Sequence, residues 1–157
     1  MSELTHIKNG ILVGMRTSVF TIFNSEKYDE KAIPQAWQQF FSKAAGSKLV
    51  ETDTFYGATI PSMSMDAPMD YFAGALMEID FTIPEGFEGV EIPGGDYLKV
   101  VHSGPISNIA ATYKIAYMDA LPASGKEMRP APHLEIYNSM LDPMAADYEM
   151  VIGIPIS

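Results

Sequence analysis

The order of secondary-structure elements repeats along this chain, and the repetition restricts the folds that it can adopt. Two segments, 33–46 and 105–124, carry apolar residues at the spacing of an amphipathic helix. Each follows one strand-like run, rich in β-branched and aromatic residues, and precedes two more. These six runs are 11–20, 55–60, 70–79, 96–103, 133–138 and 147–156. The sequence therefore predicts a strand–helix–strand–strand unit that occurs twice.

The first helix segment has clear start and stop signals. Pro34 stands near its beginning and Gly46 follows its end. Trp37, Phe40 and Phe41 form one stripe along it. We expect Phe40 and Phe41 to lie in the core, and Trp37 to lie either there or at a binding surface.

Two such units predict an α+β fold with a pseudo-twofold axis. Each unit would place its long helix on an antiparallel sheet, with a concavity between the two halves. The length of 157 residues suits a single domain, 1–157, with halves at about 11–79 and 90–156. The connection 80–95 is rich in glycine and proline and has room for one short strand.

Composition excludes several classes of protein. Ten basic residues stand against twenty acidic ones, and the basic residues are scattered singly, so we expect no direct binding to nucleic acid. The net charge of −10 is explained either by solubility alone or by attraction of a cationic ligand or of a basic protein surface. The chain has no cysteine, and it has no apolar run of the ~20 residues that a membrane helix needs. Since the start of the chain also lacks the pattern of a signal peptide, we expect a cytoplasmic protein with no membrane partner.

The strand "HLEIYN" places a carboxylate in the middle of an otherwise apolar element. Leu134 and Ile136 alternate with His133, Glu135 and Tyr137, so the two sets face opposite sides of the sheet. We expect Leu134 and Ile136 to pack beneath the helices. The Glu135 face either meets solvent or lines a pocket in which a bound cation offsets the cost of burying the carboxylate.

No motif for a metal or a cofactor is present. His6, His102 and His133 lack the spacing of metal ligands, and no phosphate-binding loop or nucleophile motif occurs. We therefore predict neither a metal nor a cofactor.

Six short motifs, taken in order, resemble those of a known family. They are "AIPQAWQQFF", "FYGA", "DYFAGALMEI", "IPGGDYLKVVHSG", "LPASGKE" and "HLEIYN". Together they resemble the GyrI-like small-molecule-binding family, the effector-binding domain of AraC- and MerR-type transcription activators, over roughly residues 11–156. The resemblance implies the duplicated fold and a groove that binds amphipathic, often cationic, aromatic compounds. It also implies a member that stands alone, without a DNA-binding region.

The resemblance also suggests which residues meet the ligand. It implies Glu135 as the charge partner and aromatic side chains as the walls of the groove. Tyr56 is expected on the same sheet face as Glu135. The candidate ligand-binding residues are Glu135, Trp37, Tyr56, Tyr71, Tyr137 and Tyr113.

Three functions stay open at this point. The first is a binding protein for a small organic ligand, which requires no catalysis. The second is a hydrolase of strained-ring alkylating compounds, because some GyrI-like proteins resemble such hydrolases. Glu135 and a tyrosine such as Tyr56 would then act in general acid and base roles. The third is an inhibitor acting by protein contact, since the family's namesake acts on DNA gyrase. A homodimer formed through free sheet edges is a further partner to test.

Overall fold

The computed structural model describes residues 2–21, 24, 26–29, 31–52, 54–60, 67–137 and 145–157. Within these ranges eight strands form one antiparallel sheet. They are β1 (Ser2–Ile7), β2 (Gly10–Val19), β3 (Phe55–Ile60), β4 (Met69–Met77), β5 (Glu88–Ile92), β6 (Gly95–Ser103), β7 (His133–Tyr137) and β8 (Glu149–Pro155). All six predicted strands are present, and the expected short strand in the connection is β5. The first strand, β1, was not predicted.

Both predicted helices are present, and the second one changes its winding along its length. The first, α1, spans Ala32–Ala44. The second helix consists of a 3-10 turn (Ile106–Asn108), α2 (Ile109–Lys114), a π-helical turn (Ile115–Ala120) and α3 (Leu121–Ser124). It ends at Gly125, whose φ of 71° lies in the left-handed region that favours glycine at a helix terminus.

The order of strands in the sheet is symmetric about its centre. It runs β1-β6-β8-β7-β3-β4-β2-β5, so β3 of the first unit pairs with β7 of the second in the middle. The first strand of each unit pairs with a strand of the other unit: β1 pairs with β6, and β5 pairs with β2. The predicted fold class is confirmed, and the structure adds one leading strand to each unit.

Two short connections force the sheet to curl. Residues 8 and 9 alone join β1 to β2, and residues 93 and 94 alone join β5 to β6. A link of two residues reaches on the order of 10 Å. In a flat sheet of this order β1 and β2 would be roughly 30 Å apart, at about 4.8 Å per strand. The edges therefore approach each other, and a Cβ at Gly94 would lie 2.8 Å from the backbone nitrogen of Asn9.

Curling gives the sheet two buried faces. One face packs against the helices, with Phe40 and Tyr71 buried near α1 and Ile109 buried near the second helix. The other face is the inside of the curl, where residues from both ends of the sheet meet, including Ile7 and Ile92.

Two expectations about the core are wrong. Leu134 and Ile136 pack inside the curl rather than beneath the helices, because the curled sheet buries a second apolar face. Phe40 is fully buried, as predicted, but Phe41 is 38% exposed and lines a cavity rather than the core. In the described part of the chain, no helix is both long and apolar enough to cross a membrane.

Candidate functional site

A cavity of about 1190 Å³ opens between the two helices, above the central strands of the sheet. Trp37 and Phe41 of α1 form one wall, and Tyr113 of the second helix lies in the other. Glu135 and Tyr137 of β7 face it from the floor. Among the described residues that line the cavity, Glu135 is the only one with a carboxylate, and aromatic side chains form the walls around it.

Three tyrosine hydroxyls hold the Glu135 carboxylate. Tyr71 donates to Oε1 at 2.9 Å, and Tyr137 donates to the same atom at 2.7 Å. Tyr113 donates to Oε2. The indole Nε1 of Trp37 donates in turn to the Tyr71 hydroxyl at 2.9 Å. Since Glu135 is only 7% exposed, these phenols replace most of the water that would solvate it.

The phenols remain proton donors because of where they lie. Burial, and after it the negative charge of Glu135, raises the pKa of Tyr71, Tyr113 and Tyr137 well above the ordinary value of 10. Among the described residues, no Lys, Arg or His nitrogen lies within 4.0 Å of the Glu135 carboxylate. The carboxylate is therefore stabilised by neutral donors and has no cationic partner in the described structure.

The pairing of β3 with β7 places a glycine directly opposite this carboxylate. Gly57 pairs with Glu135 in the register. A Cβ at Gly57 would lie 3.1 Å from Oε1 of Glu135 and 2.8 Å from Cζ of Tyr71, and closer still to the Tyr71 hydroxyl oxygen. Only glycine leaves room for Tyr71 to reach Glu135.

The aromatic wall of α1 is built around Trp37. Its ring stacks on Phe41, with centroids 5.8 Å apart, and meets Tyr137 edge-on at 5.1 Å. Such contacts hold the indole in place above the carboxylate.

A second polar pair lies beside the first. The Tyr117 hydroxyl is hydrogen-bonded to Nδ1 of His133, and the two rings are stacked with centroids 5.7 Å apart. Burial lowers the pKa of His133 to about 4 and raises the pKa of Tyr117. Tyr117 lies within the π-helical turn, a feature often found at functional sites, and its ring stacks on that of Tyr113.

A family model agrees with this architecture over almost the whole chain. The model of the GyrI-like small molecule binding domain matches residues 12–157. This chain belongs to the GyrI-like family. The resemblance noted in the six sequence motifs is thereby confirmed.

Solved structures similar to this GyrI-like chain share its fold at low sequence identity. SAV2435, solved bound to tetraphenylphosphonium, has 15% identity and a TM-score of 0.74, over 100% of this chain and 94% of that one. The C-terminal domain of EcmrR has 20% identity and a TM-score of 0.68, over 100% and 97%. A hydrolase from Listeria innocua has 15% identity and a TM-score of 0.57, over 99% and 91%. No curated protein sequence matches this chain.

Five of the six candidate residues of this GyrI-like chain meet around one carboxylate, and the sixth does not. Tyr56 pairs with Ile136, so its side chain lies on the inner face of the curl. The expectation that Tyr56 shares a face with Glu135 is wrong, because a shift of one residue in register moves a strand side chain to the other face. The acid–base pair of Glu135 and Tyr56 is therefore not formed.

Sequence reasoning missed three contributors to the site. Gly57 adjoins Tyr56 in the "FYGA" motif, and a glycine inside a strand often marks a close approach of other atoms. Tyr117 and His133 were not among the candidates, although Tyr117 is one helical turn from Tyr113. In the part of the chain that the structure describes, no three His, Asp or Glu side chains are grouped to hold a metal ion.

Proposed function

We propose that this GyrI-like domain binds cationic, amphipathic aromatic compounds in the cavity, with Glu135 as their charge partner. The observation that carries the proposal is a buried carboxylate whose described partners are all neutral phenols. Burying an anion costs free energy, and neutral donors offset only part of it. A bound organic cation would supply the missing opposite charge.

The walls of the cavity suit such a ligand. Trp37, Phe41 and Tyr137 present aromatic surfaces near the carboxylate. Each aromatic face close to a cation would add about 0.5 to 2 kcal/mol. The volume of about 1190 Å³ lies just above the usual range of small-molecule pockets, roughly 300 to 1,000 Å³, so bulky multi-ring cations fit best.

Tetraphenylphosphonium, the compound bound to SAV2435, is the natural first probe. The domain has a single tryptophan, Trp37, and it lines the cavity, so its fluorescence should change when the probe binds. We expect micromolar binding by the wild type. Glu135→Gln keeps the shape of the side chain but removes its charge, and we expect it to bind at least tenfold more weakly, a loss of about 1.4 kcal/mol.

Glu91→Gln is the matched control. Glu91 is an exposed glutamate on β5 that does not line the cavity, so its variant should bind like the wild type. Equal affinity of the wild type and Glu135→Gln would refute the proposed anchor. Equal weakening in both variants would show that only the net charge of the protein matters.

Hydrolysis is the weaker candidate. The contact of Glu135 with Tyr137 and Tyr113 places a base beside two proton donors in one cavity. The raised pKa of both phenols makes them poor general acids near neutral pH, which favours binding over catalysis. Incubation with a strained-ring alkylating compound tests this, because release of more than one product per protein molecule would establish turnover.

A further inference from the structure

We propose that the cavity contains a polar subsite, formed by His133 and Thr59, that accepts a neutral hydrogen-bond acceptor of the ligand. The inference rests on the proposed function and narrows its ligand class. The preferred compound would carry a carbonyl or similar group on one arm of its cationic aromatic body.

The central strand pair orders the chemistry of the cavity floor. Three opposed pairs follow one another along β3 and β7: Phe55 with Tyr137, Gly57 with Glu135, and Thr59 with His133. Side chains two residues apart lie on the same face of a strand, about 6 to 7 Å apart. On the helix-facing side of these strands we call each opposed pair a level. The first level is aromatic, the second contains the anionic Glu135, and the third is polar.

The imidazole of His133 is held with one nitrogen engaged and the other available. Tyr117 bonds to Nδ1 and stacks on the ring. Burial lowers the pKa of His133 and raises that of Tyr117, so both groups are neutral near pH 7. The proposed subsite uses the tautomer in which the Tyr117 hydroxyl donates to Nδ1 and the ring proton resides on Nε2. Nε2 makes no hydrogen bond to any residue that the structure describes.

The hydroxyl of Thr59 is the second free group at this level. It lines the same cavity and makes no hydrogen bond within the described structure. No buried side-chain nitrogen or oxygen of the described residues lacks a partner. The free Nε2 and the free hydroxyl must therefore be reachable from the cavity rather than sealed in the protein.

These two donors define the acceptor that would fit them. A ketone, amide or ester oxygen can accept from both Nε2–H and the hydroxyl. A carboxylate of the ligand would meet the negative charge of Glu135 one level away, which disfavours it. The acceptor should therefore be neutral and stand about 6 to 7 Å from the cationic centre.

A pair of phosphonium ions that differ at one atom tests the subsite. (4-Acetylbenzyl)triphenylphosphonium carries a ketone where (4-ethylbenzyl)triphenylphosphonium carries a methylene group. We expect the wild type to bind the acetyl compound about fivefold more tightly, the value of one net hydrogen bond. Thr59→Val and His133→Phe should each reduce the ratio of the two affinities to below twofold, whatever the absolute affinity of the ethyl compound.

Thr5→Val is the control, since Thr5 is a strand residue outside the cavity and should keep the preference. Thermal melting of each variant establishes whether it is folded. If His133→Phe is unfolded, the affinities of Thr59→Val alone decide the test. A wild type without preference, or variants that weaken both compounds equally, would overturn the subsite.

Neutral compounds separate the subsite from the proposed function. If neither phosphonium ion binds, 4-acetylbiphenyl is compared with 4-ethylbiphenyl by the same titration. A preference for the acetyl compound that Thr59→Val abolishes would support the subsite while cation binding fails. No preference there would overturn the subsite as well.

Discussion

Gly57→Ala should damage this domain far more than the addition of one methyl group suggests. The new Cβ would lie 2.8 Å from Cζ of Tyr71 and closer still to its hydroxyl oxygen. Tyr71 is fully buried, so its ring can shift only by displacing atoms packed around it. The ring must shift, and the shift breaks its hydrogen bonds with Glu135 and Trp37.

The cost of Gly57→Ala can be worked out from these contacts. A hydrogen bond to a charged group contributes about 1.5 to 3 kcal/mol and a neutral one about 0.5 to 1.5 kcal/mol. Overpacking of a rigid core adds about 1 to 3 kcal/mol. We therefore expect a loss of about 4 kcal/mol from the free energy of unfolding, and a fall in Tm of about 10 °C for a domain of this size.

Urea unfolding followed by circular dichroism measures this loss, with Gly153→Ala as the matched control. A Cβ at Gly153, on the neighbouring strand β8, would meet its nearest atoms at 3.5 Å, which is ordinary contact. That variant should stay within about 1 kcal/mol of the wild type. If Gly57→Ala is as stable as Gly153→Ala, the reasoning about the site is refuted.

A double-mutant cycle identifies the cause of the loss. In a Tyr71→Phe background the hydroxyl and its hydrogen bonds are already absent, so Gly57→Ala should cost clearly less than in the wild type. An unchanged cost would show that the hydroxyl network is not responsible.

Three further substitutions test the site. Tyr137→Phe removes a donor from Glu135 and should lower the free energy of unfolding by about 1.5 to 3 kcal/mol in urea titrations; a loss under 0.5 kcal/mol would contradict this. Tyr56→Phe should leave the affinity for tetraphenylphosphonium unchanged, because Tyr56 lies on the other face of the sheet, and weaker binding would show that this face takes part. His133→Phe should flatten the dependence of stability on pH. The pKa of His133 is about 4 in the folded state and about 6.5 unfolded, so its contribution is present above pH 6.5 and is lost as the pH falls toward 4. In unfolding titrations at pH 7, 5.5 and 4 the wild type should lose about 3 kcal/mol more than the variant, and equal losses would count against a buried neutral His133.

Much of the fold follows from local pattern. The helical stripe of Trp37, Phe40 and Phe41 predicted α1, and the alternation of polar and apolar residues predicted β7. Both predictions succeeded because these patterns depend only on neighbours within one element. The strand β1 escaped prediction. Its short run "SELTHI" is largely polar, and it pairs with β6, which lies 88 to 98 residues further along the chain.

The candidate site could be predicted only in part. The alternation of His133, Glu135 and Tyr137 showed that they share a face, and the family resemblance directed attention to Glu135, Trp37 and Tyr71. The error at Tyr56 came from the register between β3 and β7, which depends on pairing between residues 80 positions apart, Tyr56 and Ile136.

The sequence by itself therefore determined which side chains share a face within each helix and strand, because periodicity is a local property. Tertiary structure decided what each face meets. The links at residues 8–9 and 93–94 curl the sheet, and the curl creates the second core that takes Leu134 and Ile136. The register of the central strands then sets Gly57 against Glu135 and leaves space for three phenols around one carboxylate. Register and curvature arise from contacts between distant segments, and no window of the sequence contains them.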